Sequence, residues 1–156
     1  MGLMREAGME LREDAFGNVI GHVKGADERL PAVMFGSHGD SVPEGGNFDG
    51  IVGILAAIET VRSMREDGFT PRRPLEVVLF LCEESSRFSA ATLGSRAMRG
   101  ELSHDDLLRL HDKEGHTSTR CSRVAILTPT ISSRPGTRGP CALPRAAHRA
   151  RQGSRA

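Results

Sequence analysis

A layered α/β domain is the fold class this sequence predicts, and three observations predict it. Two short, nearly unbroken apolar runs, residues 32–35 and 75–82, read as buried strands. Between them, Ile51, Ile54, Leu55, Ile58, Val61 and Met64 recur at helical spacing and make one apolar face. Strand, helix, strand and helix in alternation is the order of a sheet with flanking helices.

The elements follow in chain order. Residues 2–7 predict a short helix ended by Gly8. Residues 9–12 and 19–23 predict two strands joined around Phe16-Gly17-Asn18, a hairpin signal. Residues 25–31 are a polar loop, and residues 32–37 form the first buried strand. The helix over residues 50–66 stops at Gly68, and Pro71 and Pro74 keep the connection extended. The run 75–82 is the expected central strand, covered on both faces. Helices follow over residues 93–99 and 105–112, with Ser103 placed to cap the second.

Composition narrows the class. The 156 residues suffice for one domain with a core, and the formal net charge is +1. That near-neutral total hides an imbalance. All 20 acids fall in residues 1–115, whereas residues 116–156 hold eight arginines and no acid. Cys82, Cys121 and Cys141 make no CxxC or zinc-finger spacing, which fits a reducing cytoplasm. No run approaches the ~18 apolar residues of a membrane span, and the N-terminus has no hydrophobic signal core.

The chemistry concentrates where the apolar runs stop. His38 and Asp40 end the first, and Glu83 and Glu84 end the second. A loop with Pro43, Gly45, Gly46 and Asn47 leads to Asp49, where the long helix begins. Loops held by a rigid strand and helix are where α/β proteins place chemistry. His38, Asp49 and Glu84 are suitable metal-ligand types. Asp40 is expected to accept the second ring N–H of His38, since residues i and i+2 of a strand face one side. Glu83 is the candidate general base. For Glu83 and Glu84 to serve one site, the strand must end or bulge beside them.

Each residue has a plainer reading. Asp49 suits an N-cap, Glu83-Glu84 a solvated turn, and His38-x-Asp40 a surface pair. His22, His104 and His111 read as surface residues, Cys82 as a core residue, and His116 and His148 receive no role.

The segment Gly36-Ser37-His38-Gly39-Asp40-Ser41-Val42-Pro43-Glu44-Gly45-Gly46-Asn47-Phe48-Asp49-Gly50 resembles the metal-binding segment of M20-type amidases. More narrowly it resembles the hydantoinase/carbamoylase group, which includes N-carbamoyl-L-amino-acid hydrolase and allantoate amidohydrolase. Ala7-Gly8-Met9-Glu10 with Gly17-Asn18 is similar to the preceding hairpin, and Glu83-Glu84-Ser85-Ser86-Arg87-Phe88 with Gly94-Ser95 to the second motif. The resemblance covers about residues 3–115. It implies part of a zinc-exopeptidase-like catalytic domain with two divalent metal ions, zinc or manganese. It gives His38 as a terminal ligand, Asp49 as the bridge, Glu84 as ligand of the other metal and Glu83 as the base. The implied reaction is hydrolysis of a non-peptide C–N bond in a small carbamoyl or ureido substrate.

The resemblance also implies parts this sequence does not match: two further His ligands, one in a His-Ile-Glu-Gln-Gly-like motif, and an inserted dimerisation domain. Weak metal binding and little turnover are therefore expected. Residues 116–156 are expected to be a disordered, out-of-family tail, with only residues 124–127 able to form a strand. Their acid-free, Arg/Pro/Ala/Gly-rich composition is what a GC-rich gene yields out of frame, so a frameshifted fragment is the expectation, which the nucleotide sequence of the locus decides. Two alternatives to an enzyme remain: an inactive remnant, or a polyanion-binding protein acting through the arginines. No aromatic residue interleaves those arginines to stack on bases, which disfavours nucleic acid.

Overall fold

A computed structural model of the chain describes residues 1–118. Its elements are α1 (Gly2–Glu6), β1 (Glu10–Glu13), β2 (Val19–Val23), β3 (Val33–His38), α2 (Ile51–Glu66), β4 (Leu75–Phe80), α3 (Leu93–Met98) and α4 (His104–Arg109). The strands form one mixed sheet in the order β1-β2-β4-β3. β1 and β2 are an antiparallel hairpin, and β2 pairs antiparallel with β4. β3 and β4 are parallel, with Val33 opposite Leu75 and His38 opposite Phe80. A helical crossover between them allows this direction, which a tight turn does not.

α2 lies over β3 and β4. Its Ile54, Ala57, Ile58 and Val61 join Met4, Ala7, Met9, Val19 and Val77 in the main core. Leu55, expected on the buried face, is instead 46% exposed. Successive helical residues turn by about 100°, so Leu55 swings past the edge of the face. Ala57, three after Ile54 and four before Val61, takes its place. β4 is interior, and neighbours Val77 and Val78, which face opposite sides, are both fully buried. Gly36 is required within β3, since a Cβ there would lie 2.0 Å from the Val78 carbonyl oxygen of β4.

β4 ends at Phe80, two residues before the expected limit. The Leu81 N–H donates to the Asn18 side chain at 3.0 Å instead of a strand neighbour, and Cys82 turns to φ +54°. A second, smaller core forms beyond this point from Phe16, Phe88, Leu93 and Leu107.

α4 starts at His104 and stops at Arg109, shorter than the expected 105–112. Ser103 caps it as expected, and Asp106 returns the bond in a capping box. It stops early because Asp112 is used elsewhere. Asp112 accepts from the N–H groups of Glu114 and His116 at 3.0 and 2.8 Å, closing a turn. Residues 116–118 then fold back: Thr117 bridges His111, and buried Ser118 donates through its hydroxyl to the Leu107 carbonyl at 2.7 Å. The described residues thus reach three positions past Gly115. The expected disorder of the remaining tail, the strand at 124–127, His148 and the polyanion-binding arginines lie outside the described residues. No described helix is long and apolar enough to cross a membrane.

Arg87 reaches the Asp112 carboxylate at 3.3 Å and His116 approaches it at 3.4 Å. Burial alone would raise the Asp112 carboxyl. The N–H groups of His116 and Glu114, with the Arg87 guanidinium and the His116 ring, outweigh it and hold the group below the usual carboxylate range. A depressed folded value contributes stability above the unfolded value near ~4, lost as pH falls through the folded one. Urea unfolding between about pH 5 and pH 3 should therefore show a smaller acid loss in Asp112→Asn than in the parent. Equal losses in both proteins would contradict this.

Candidate metal centre

The parallel register delivers two chain exits to one edge. Because His38 stands opposite Phe80, the segments after β3 and β4 leave the sheet side by side. Both carry the residues singled out from the sequence.

His38 closes β3 with its side chain 18% exposed. Its Nδ1 lies 2.8 Å from the main-chain carbonyl of Asp40. A carbonyl only accepts, so Nδ1 carries a proton, and in the neutral ring Nε2 is the nitrogen with the lone pair. Nε2 faces Asp49 Oδ1 at 3.9 Å and Glu84 Oε1 at 3.8 Å. Those separations are too long for hydrogen bonds. They match ligand atoms sharing one cation, which sit about 3–4.4 Å apart when each is about 2.0–2.2 Å from it. One ligand atom from each of His38, Asp49 and Glu84 lies within 4.8 Å of the other two.

Asp49 carries a further sign. Its Oδ2 is buried and has no hydrogen-bond partner among the described residues. Burying a carboxylate oxygen without a donor is costly, and a cation removes that cost. The plainer N-cap reading of Asp49 does not hold: the N-cap of α2 is Gly50, and no side chain caps the helix. Gly50 is itself constrained, at φ +67°, and a Cβ there would lie 2.5 Å from His38 Nδ1. Glycine lets α2 begin against the imidazole.

Asp40 orients His38 by another route than expected. β3 stops at His38, so the strand alternation that would aim the Asp40 carboxylate at the ring no longer applies. Its Oδ1 stays 3.8 Å from Nδ1, and the main-chain carbonyl takes the ring N–H instead. The carboxylate crosses to the other segment and accepts from the backbone N–H groups of Glu83 and Glu84 at 3.2 and 2.9 Å. One residue thus ties His38 to Glu84.

The break after β4 separates the paired acids. Glu84 turns toward His38 and Asp49, while Glu83 is not part of that group. Both Glu83 oxygens meet Ser95: Oε1 accepts from its N–H at 2.7 Å and Oε2 from its hydroxyl at 3.0 Å. Sequence reasoning gave Ser95 and Asn18 no role of their own. Asn18 is fully buried and spans three segments, but its sequence context signals only a hairpin. His104 and His111 are exposed as expected. His22 pairs with Glu28 at 3.2 Å, and His116 with Asp112 and Glu114. None of them joins the metal group.

Residues 34–133 match the family described as Peptidase family M20/M25/M40. The chain is 46% identical over 99 residues to a ureidoglycolate hydrolase of Oryza sativa subsp. japonica, covering 64% of this chain and 20% of that one. It is 45% identical over 126 residues to an N-carbamoyl-L-amino-acid amidohydrolase of Paenarthrobacter aurescens, covering 81% and 31%. Among solved structures, a hydantoinase/carbamoylase family amidase from Burkholderia ambifaria superposes with a TM-score of 0.73 at 42% identity, over 77% of this chain and 30% of that one. The chain spans about a fifth to a third of the length of the curated relatives it matches.

Asp40→Asn leaves one acceptor oxygen for two N–H groups and turns an amide N–H toward a donor. A stability loss of about 1–3 kcal/mol is expected in urea unfolding. An unchanged midpoint would show that the Asp40 clamp carries no weight.

Proposed function

This chain belongs to Peptidase family M20/M25/M40, and from that premise we propose that it carries a divalent-metal site for hydrolysing non-peptide C–N bonds. One observation carries the reading: an imidazole nitrogen with a free lone pair and two carboxylates converge within 4.8 Å, and one of those carboxylates keeps a buried, unpartnered oxygen. The residues present fit a cation. His38 Nε2, Asp49 and Glu84 would hold it, and a mixed nitrogen and oxygen set suits zinc or manganese. Asp49 has Oδ1 toward His38 and keeps Oδ2 buried with no donor among the described residues, an oxygen that a cation would satisfy.

When bound, such a cation polarises the carbonyl under attack and lowers the pKa of a nearby water. Glu83 then acts as the base. It takes a proton from the water as the oxygen adds to the carbonyl carbon, and gives it to the leaving nitrogen as the C–N bond breaks. Asp40 holds the main chain of Glu83 and Glu84 while its carbonyl fixes the His38 tautomer.

The substrate class is a small ureido or carbamoyl compound. Relatives named for ureidoglycolate, N-carbamoyl-L-amino acids and allantoate support it. Cysteines without disulfide or zinc spacing support a cytoplasmic setting. Among the described residues no further histidine joins the three ligands, so weak cation binding and slow turnover are expected of this chain.

The test is a titration of the purified chain with Mn²⁺ and Zn²⁺, followed by assays on N-carbamoyl amino acids, allantoate and ureidoglycolate. His38→Ala, Asp49→Asn and Glu84→Gln should each weaken binding about tenfold or more. Glu83→Gln should leave binding within about threefold of the parent and remove any metal-dependent turnover. Binding indifferent to the three ligand substitutions, or turnover that survives chelation or Glu83→Gln, would refute the proposal.

A further inference from the structure

Glu83 is held by a chain of contacts that the reaction proposed above does not require in itself. Its two carboxylate oxygens are engaged by a single residue, Ser95, through the N–H at 2.7 Å and the hydroxyl at 3.0 Å. The hydroxyl has one other acceptor, the Thr92 carbonyl, at a longer 3.3 Å. Two donors from one residue fix both the place and the rotation of a carboxylate. An ionised carboxylate has about four lone-pair sites, so two remain to receive a proton.

Ser95 is fixed in turn. The start of α3 is laced to the segment that carries Glu83: Thr92 N–H donates to the Glu83 carbonyl at 2.7 Å, and Leu93 N–H to the Cys82 carbonyl at 3.0 Å. Asn18 closes the lacing from the hairpin side. Its amide N–H₂ donates to the Gly94 carbonyl at 2.9 Å and to Asp14 Oδ2 at 2.7 Å. Its Oδ1 accepts from Leu81 N–H at 3.0 Å. Asn18 is 0% exposed, so water does not compete for these bonds. The packing has no slack: a Cβ at Gly94 would lie 2.4 Å from the Leu81 carbonyl oxygen and 2.5 Å from Asn18 Oδ1. One amide thus grips the residue before Ser95 and a residue just before Glu83.

We propose that Asn18 and Ser95 are positioning residues for Glu83: Ser95 sets the carboxylate, and Asn18 sets Ser95 against the strand end from which Glu83 projects. Neither belongs to the His38, Asp49 and Glu84 group, so both act through Glu83. The role in the reaction rests on Glu83 being its base. The placement of Glu83 does not.

The experiment is NMR of the full labelled chain at fixed neutral pH, reading the Glu83 carboxyl ¹³C resonance and Ser95 amide exchange. Ser95→Ala should move the Glu83 resonance, and Ser95→Thr, which keeps a hydroxyl, should restore it. In Asn18→Ala, Ser95 N–H exchange should rise about tenfold while Ile58 and Val61 in α2 stay within about twofold. If Asn18→Ala does not fold, the Ser95 pair decides. A Glu83 resonance unchanged in Ser95→Ala would overturn the proposal, as would Ser95 exchange that is unchanged or rises equally with α2 in Asn18→Ala. A Zn²⁺ titration of the same samples separates the two readings. Failure of the parent to bind removes the metal proposal and leaves the NMR outcome standing. If the parent does turn over substrate with metal, Ser95→Ala should lower kcat with KM and Zn²⁺ affinity unchanged, and an unchanged kcat would also overturn the positioning role.

Discussion

The in-register parallel pairing of β3 and β4 sets where everything else can go. Val33 to His38 run level with Leu75 to Phe80, so both strands end on one line. The segments that follow must leave the sheet as neighbours, and His38 lies beside the start of the chain that brings Glu84. α2 makes the direction possible by carrying the chain back across the sheet, and its buried face fixes the register. A slip of one residue would turn His38 to the opposite face and expose the apolar residues beneath α2. Gly36 protects the pairing just before the site, because a side chain there would strike Val78 of β4.

Beyond the sheet edge, polar contacts do the placing that packing does inside it. The smaller core of Phe16, Phe88, Leu93 and Leu107 supports the segment after β4 but has no directional preference. Hydrogen bonds supply direction. Asp40 binds the two N–H groups of Glu83 and Glu84, Asn18 binds Leu81 and Gly94, and Ser95 binds Glu83. The result divides adjacent acids between two tasks, one facing His38 and Asp49 and the other held on α3. Cys82, at φ +54°, is the point where the alternation of a strand is broken to allow it. A non-glycine residue in that region costs of order 1–3 kcal/mol, which the surrounding bonds must offset.

The fold was legible where local pattern determines it. β2 falls at residues 19–23 as read, and α2 follows the 3.6-residue period closely. His38, Asp40, Glu83 and Glu84 stand where apolar runs stop, which is what makes them candidates in the sequence. What stayed hidden depends on contacts between distant parts of the chain. Leu55 fits the helical period, yet it lies past the edge of the face that packs on the sheet and is exposed. The Asp40 carboxylate acts on residues 43 and 44 positions away, and Asn18 on residues 63 and 76 positions away. No local spacing signals such partners. The Asp49 oxygen that is buried without a partner among the described residues is likewise a fact of three dimensions, although the residue itself stood out in the sequence.

Anomalous diffraction from crystals of this chain soaked in Zn²⁺ decides whether His38, Asp49 and Glu84 hold a cation together. A peak is expected about 2.0–2.2 Å from His38 Nε2, an Asp49 oxygen and a Glu84 oxygen, with the His38 Nδ1–H still on the Asp40 carbonyl. Zinc bound only at other residues, or a His38 ring turned away from Asp49 and Glu84 in the soaked crystal, would contradict it.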